Sequence, residues 1–343
     1  MRSDLLDNRI LNQLSRQIKT GKWATTYLFT GKENERKKAL AVAFAKALNC
    51  DTPHLSSPQD GGRNSAKVRG GSAERFGGKA GACPVCRRID EGTFPDVKWY
   101  GLDDEANTIK ISEVRDFKNW LSLKPFEAKV KVFIFNQAER LTGEAQNALL
   151  KSLEEPPPGN VILLLVQKAE SLYDTIASRA IEIKVPSFSS HEIREILIKE
   201  AVEKSEADVL ARMSHGELTC AREAYAKKLF RQKNQWIDQL VKNPTYFLEQ
   251  FQSASRDELV NVFDFLIEWF RDLLAFQASR DPQFLVHLDR QSLIETLVQD
   301  RNFDSLVEIF EEINRLKKTL DDYANQKLVL TQAQIILEHF FRP

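Results

Sequence analysis

The feature that most constrains this fold is a set of short runs apolar at nearly every position. NVILLLVQ (160–167) and VKVFIFN (130–136) stand out, with ATTYLFT (24–30), DVKWY (96–100) and AIEIKV (180–185) as further strand patterns. A strand without a polar face needs cover on both sides, which is the environment of a parallel sheet. Between these runs lie helical patterns: KKALAVAFAKAL, ISEVRDFKNWLSL and TGEAQNALLKSLEE. The last is predicted to start at Thr142 as N-cap and to stop before Pro156-Pro157-Pro158. Strands alternating with helices imply an α/β layered domain.

From about Pro186 the strand patterns vanish. SSHEIREILIKEAV opens with serines able to cap a helix of 3.6-residue period. In SRDELVNVFDFLIEWFRDLLAF, Ser255 and Glu258 form a capping-box pattern, and Leu259, Val262, Phe263, Leu266, Phe270 and Leu273 share one stripe. FDSLVEIFEEINRLKKTL and KLVLTQAQIILEHFF complete a helical C-terminal part whose stripes read as bundle core. Parts of these apolar faces are wider than one bundle interior needs, which leaves room for subunit contacts.

At 343 residues the chain is long enough for two or three domains. It is 42% apolar and 29% charged, the composition of a globular protein. Lys+Arg and Asp+Glu are both 49, so no overall basic field calls for nucleic acid. MRSDLLDNRI has no apolar signal core, and no run approaches the roughly 20 apolar residues of a membrane span. The expected location is cytoplasmic. Residues 55–82 hold seven of the fourteen glycines and almost no large apolar side chain, so they read as a flexible, locally basic insertion.

TGKENERKKAL (30–40) occupies the place of a phosphate loop between a strand and a helix. In a GxxxxGK[ST] loop, glycines let backbone N–H groups wrap the phosphates, the Lys reaches the outer phosphates, and the hydroxyl binds Mg²⁺. Here Gly31 is kept, Arg36 replaces the second glycine, Lys37 is kept, and Lys38 replaces the hydroxyl. The acidic strand end that would hold Mg²⁺ is Asn136-Gln137, two amides that supply neither charge for a hard cation nor a general base. Losses at two places favour a decayed nucleotide site over chance. The plainer alternative is a strand–turn–helix with a charged first turn.

AERLTGEAQNALLKSLEEPPPGNVILLLVQ followed by TIASRAIEIKVP closely resembles the AAA+ clamp-loader subunits of bacterial DNA polymerase III. YLFTG, EGTFPDV (91–97), IKISEVRDF (109–117) and YANQKLVL extend the resemblance over nearly the whole chain, apart from the insertion. It implies an AAA+ α/β domain over 1–186, a small helical lid over 187–232 and a helical collar over 233–343. Gln167 stands where a sensor Ser, Thr or Asn is usual, and Thr219 in HGELTCARE replaces a second-sensor Arg. With the loop and strand end both lost, the chain looks like the non-hydrolysing delta-prime subunit, with no ATP bound. The family's Ser-Arg-Cys motif corresponds to Ser178-Arg179-Ala180. By resemblance, Arg179 is an arginine finger for a neighbouring subunit's ATP; otherwise it is an ordinary loop arginine.

The resemblance also implies a zinc module over 50–86. Cys50, Cys83 and Cys86 match three of its four cysteines, and the fourth position falls on Ala80. Two outcomes stay open: a three-cysteine site completed by His54 or another group, or a lost site. Cys220 lies elsewhere and is expected to be a small core residue.

Three functions follow. The first is a clamp-loader component that partners gamma/tau ATPases and the delta subunit, and through them the sliding clamp and primed DNA. The second is a divergent ATPase, which Lys37 keeps open. The third is a stand-alone DNA-binding protein using Arg63, Lys67, Arg69 and Arg75.

Overall fold

The computed structural model describes residues 5–50, 83–101, 108–299, 301–322 and 325–341. The chain forms two compact units, Met1–Phe188 and Ser189–Pro343.

The first unit is built on five parallel strands: β1 (Thr26–Thr30), β2 (Val97–Tyr100), β3 (Lys131–Phe135), β4 (Asn160–Val166) and β5 (Ile181–Lys184). Their order is β2-β3-β4-β1-β5. The helices are α1 (Asn8–Lys19), α2 (Asn34–Asn49), α3 (Pro84–Asp90), α4 (Ile111–Ser122), α5 (Gly143–Glu154) and α6 (Asp174–Ala177). β1, β3 and β4 are buried at every position, as expected for strands covered on both faces. One face packs Tyr27, Phe29, Val132, Ile134, Leu163 and Leu165 with Leu40 and Phe44 of α2. The other packs Leu28, Phe133, Phe135, Ile162 and Leu164 with Phe117 of α4 and Leu149 of α5. β5 is an edge strand, and only Ile183 of its residues is buried.

Local signals set the element ends. The Thr142 hydroxyl accepts the N–H of Ala145, capping α5, which stops at Glu154 ahead of the prolines. Buried charges are satisfied in place. Asp96 accepts the N–H groups of Phe126, Glu127 and Ala128 at 2.8–3.0 Å. Burial raises the Asp96 carboxyl and these donors outweigh it, holding it below its ordinary value.

The second unit contains α7 (Ser190–Lys199), α8 (Lys204–Met213), α9 (Leu218–Ala226), α10 (Leu229–Lys242), α11 (Pro244–Glu249), α12 (Arg256–Ser279), α13 (Gln291–Val298), α14 (Phe303–Asp321) and α15 (Gln326–Phe341). Among the described residues it has no strand. Both expected serine caps form capping boxes, Ser189 with Glu192 and Ser255 with Glu258. All six residues of the α12 stripe are buried, in one core with Trp269, Ile313, Leu320 and Leu337. The expected division at 232/233 falls inside α10.

A polar cluster lies inside this core, and no pattern in the sequence announces it. Asp272 and His287 are both fully buried. Asp272 accepts the N–H of Val286 (2.9 Å), the N–H of His287 (2.7 Å) and His287 Nδ1 (2.9 Å). One carboxylate therefore satisfies the backbone that follows α12.

One expectation fails outright. Cys220 is exposed. The buried face of α9 is Leu218, Ala221 and Ala224, and Cys220 lies off that stripe, beside Glu217 at 3.8 Å.

Candidate functional site

The segment joining β1 to α2 is only three residues long, Gly31-Lys32-Glu33. Glu33 is the N-cap of α2 and its buried carboxylate accepts the Glu35 N–H at 2.8 Å. Helix N-termini attract anions, and here the anion belongs to the chain itself. The Gly31 N–H donates to the carbonyls of Val166 and Gln167 at 3.2 and 3.0 Å, so it faces the end of β4. Gly31 has φ +144°, and a Cβ there would lie 2.2 Å from the Val185 carbonyl oxygen. Its role in this chain is close packing of the turn against β5's exit.

Two cations of the first turn of α2, Arg36 and Lys37, are buried, so the strand–turn–helix with a charged first turn is present with these charges turned inward. Lys37 is 1% exposed and its ammonium donates to the Val166 carbonyl at 2.7 Å. Arg36 is 2% exposed; its Nη1 donates to the Pro186 and Ser187 carbonyls at 3.3 and 3.2 Å. Its guanidinium stacks 3.7 Å from the centre of the Phe188 ring. Burial of such groups is costly unless they are paired, and the backbone supplies the partners. Lys38 is half-buried on α2.

Across the sheet, Asn136 is fully buried at the end of β3 and its Nδ2 donates to the Gly101 carbonyl at 3.1 Å. Gln137 takes a left-handed conformation, φ 50° and ψ 54°, and its Oε1 accepts Arg140 Nη1 at 2.7 Å. The side chain of Gln167 is exposed just beyond β4. Thr219 is exposed on α9 in the second unit.

Arg179 lies at the opposite end of the parallel strands from this loop. It follows α6 and precedes β5, whose Ile181 pairs with Tyr27 and whose Lys184 pairs with Thr30. From Ile181 to Val185 alone the backbone covers about 13 Å, longer than an arginine side chain. Arg179 therefore does not reach its own chain's loop. Its Nη1 donates to the Thr175 carbonyl at 2.7 Å and its Nη2 to Glu154 Oε1 at 2.8 Å. The side chain remains 36% exposed. Ser178 caps α6 and its hydroxyl also donates to the Thr175 carbonyl, at 3.4 Å. Glu154 was not legible as a partner, because nothing in sequence pairs residues 25 positions apart.

The three matching cysteines come together. Cys50 ends α2, Cys83 is the N-cap of α3 and Cys86 is within α3. Cys83 Sγ lies 3.3 Å from Cys50 Sγ and 3.2 Å from Cys86 Sγ, and all three sulfurs are within 4.8 Å of one another. Tetrahedral zinc at about 2.3 Å from each sulfur sets sulfurs about 3.8 Å apart, so small rotations would admit a metal. Burial raises the Cys83 thiol, but the Cys86 N–H and neighbouring sulfurs outweigh it and hold it below the usual range. Burial pushes the Cys86 thiol up. A cation among them would favour the thiolates. The donor set fits three ligands of a metal site. His54, Ala80, the insertion and its Arg63, Lys67, Arg69 and Arg75 lie outside the described residues.

Five parallel strands in this order, with a strand–turn–helix at β1 and an all-helical unit later in the chain, are consistent with the expected AAA+ class of fold. The chain belongs to the DNA polymerase III delta-subunit family of bacterial clamp-loader subunits. The model described as DNA polymerase III, delta subunit matches residues 6–189, and that for its C-terminal part matches residues 224–339. The chain is 24% identical over 336 residues to the DNA polymerase III subunit delta' of Bacillus subtilis, covering 96% of this chain and 90% of that one. It is 28% identical over 215 residues to subunit tau of Escherichia coli, covering 61% of this chain and 30% of that one. The chain thus spans about a third of the tau relatives' length. A Thermotoga maritima gamma subunit-related structure matches with TM-score 0.43 and 21% identity, covering 97% of this chain and 99% of that chain.

Proposed function

We propose that this chain is a delta-prime-like clamp-loader subunit that neither binds nor hydrolyses ATP and donates Arg179 to ATP held by a neighbouring tau/gamma-class ATPase. The observation that carries this reading is the self-satisfied loop. Lys37, Gly31 and Glu33 spend on internal partners the ammonium, the N–H and the helix terminus that a phosphate would require. Arg36 fills the space a glycine would leave open, and Asn136-Gln137 brings no charge for Mg²⁺. Arg179 sits beyond reach of its own loop and exposed, where a second subunit could meet it. A guanidinium supplied in trans neutralises charge developing on the transferred phosphoryl group.

In this reading residues 187–232 act as a lid and 233–343 as a collar that assembles the ring. The delta subunit, the sliding clamp and primed DNA are then partners through the complex. The isolated chain should show no saturable binding of fluorescent Mg·ATP at micromolar concentrations, while an intact tau/gamma ATPase does. Saturable binding would favour the divergent ATPase and overturn this reading.

Zinc is the metal proposed for Cys50, Cys83 and Cys86, since borderline-soft Zn²⁺ suits a thiolate-rich site. It would tie the end of α2 to the start of α3. Purified protein is expected to hold zinc near one per chain, and Cys83→Ser to lose it. A metal-free wild-type chain, isolated without chelator, would mean a lost site.

A further inference from the structure

We infer that Glu154 is the positioning residue of Arg179: it holds the guanidinium ready at the subunit edge without covering it. This inference rests on reading Arg179 as a finger for a neighbour's nucleotide.

Glu154 is the last residue of α5, and Glu155 follows as its C-cap. A carboxylate there faces the negative end of the helix dipole, so it disfavours the helix. Local helix stability therefore gives no reason for Glu154. Its reason lies across the fold, in the 2.8 Å contact to Arg179 Nη2. The chain is stiff on both sides of that contact. After Glu155 come three prolines, and Asn160 Nδ2 donates to the Pro157 carbonyl at 2.8 Å. On the other side, the Thr175 carbonyl that takes Arg179 Nη1 belongs to α6.

Two acceptors from two elements thus fix a fork of five N–H donors while using two of them. The rest of the guanidinium stays available, and the side chain is 36% exposed. An arginine free in solvent would lose rotamer entropy on meeting a phosphate, and a held one loses less. The Glu154 side chain is itself 48% exposed, so solvent and salt weaken its pull on the cation. Orientation is retained while the opposing charge is screened.

The test uses the complex assembled with a tau/gamma ATPase and delta. It compares ATP turnover supported by wild type, Arg179→Ala, Glu154→Gln, Glu154→Asp and the Arg179→Ala/Glu154→Gln double variant. Glu154→Gln is expected to lower kcat about twofold to fivefold, the range of an exposed ion pair. KM for ATP should be unchanged, because the lost contact acts on the transition state. Glu154→Asp should recover part of the rate, and Glu154→Gln should add nothing on the Arg179→Ala background. The melting temperature of Glu154→Gln should stay level or rise, which a merely structural role would not give.

Turnover with Glu154→Gln equal to wild type or faster would overturn the inference, the second result marking Glu154 as a latch. An equal loss on the Arg179→Ala background would overturn it too. If Arg179→Ala itself changes nothing, the finger reading fails and the inference falls with it.

Discussion

Arg179→Ala is expected, on the proposed finger role, to slow ATP turnover at a neighbouring subunit's site by about a thousandfold or more, the effect of removing an arginine finger. The chain itself should fold normally. Arg179 is exposed, and its pairing with Glu154 lies at the surface, where such pairs contribute about 1 kcal/mol or less. The measurement is single-turnover hydrolysis by the assembled complex, with melting of the isolated variant as the control. A finger acting on charge that develops during transfer would leave ATP affinity intact while kcat falls. Arg179→Lys should not restore the rate, since an ammonium lacks the planar fork. Unchanged hydrolysis in a complex shown to contain the variant would end the finger reading and leave Arg179 a surface arginine.

Asp272→Ala is expected to destabilise the helical unit by about 3–5 kcal/mol, the usual cost of removing one partner of a buried charged network. The N–H groups of Val286 and His287 and the Nδ1 of His287 all converge on this carboxylate. With alanine these buried groups lose their acceptor, and the cavity left behind adds to the loss. Urea denaturation of the full chain should show the helical unit's transition moving to lower urea with its slope unchanged. The cluster also joins α12 to the segment before α13, so the variant should assemble poorly with its partners near the melting point. A loss below about 1 kcal/mol would show that water or another donor arrangement satisfies these groups.

Some of the fold was legible because its causes are local or periodic. NVILLLV reads as a strand buried on both faces, and the sheet places β4 between β1 and β3. Ser189 with Glu192 and Ser255 with Glu258 announce helix starts at a spacing of three residues. The stripe on α12 states its buried face through its period. The loop's losses were legible too, since a missing hydroxyl or glycine needs no coordinates.

Other features depend on partners far away in the chain. That Lys37 is buried against Val166, 129 positions further along the chain, rather than solvated follows from β4 pairing beside β1. Cys220 was misjudged because a small apolar side chain fits either face of a short helix, and packing against neighbours chooses the face. Asp272 reads as an ordinary charge on α12 until the turn at Val286 and His287 brings three donors to it.

By itself, then, the sequence determined the layered α/β unit, the helical second half, the family and the absence of a complete phosphate loop. All of these rest on residue types at short spacing. The tertiary structure alone decided that Arg36 and Lys37 are spent internally, that three thiols converge, and that Arg179 leans on Glu154 at the end of the strands away from the loop. Those outcomes are set by which atoms meet, and spacing along a chain carries no record of atoms that meet only after folding.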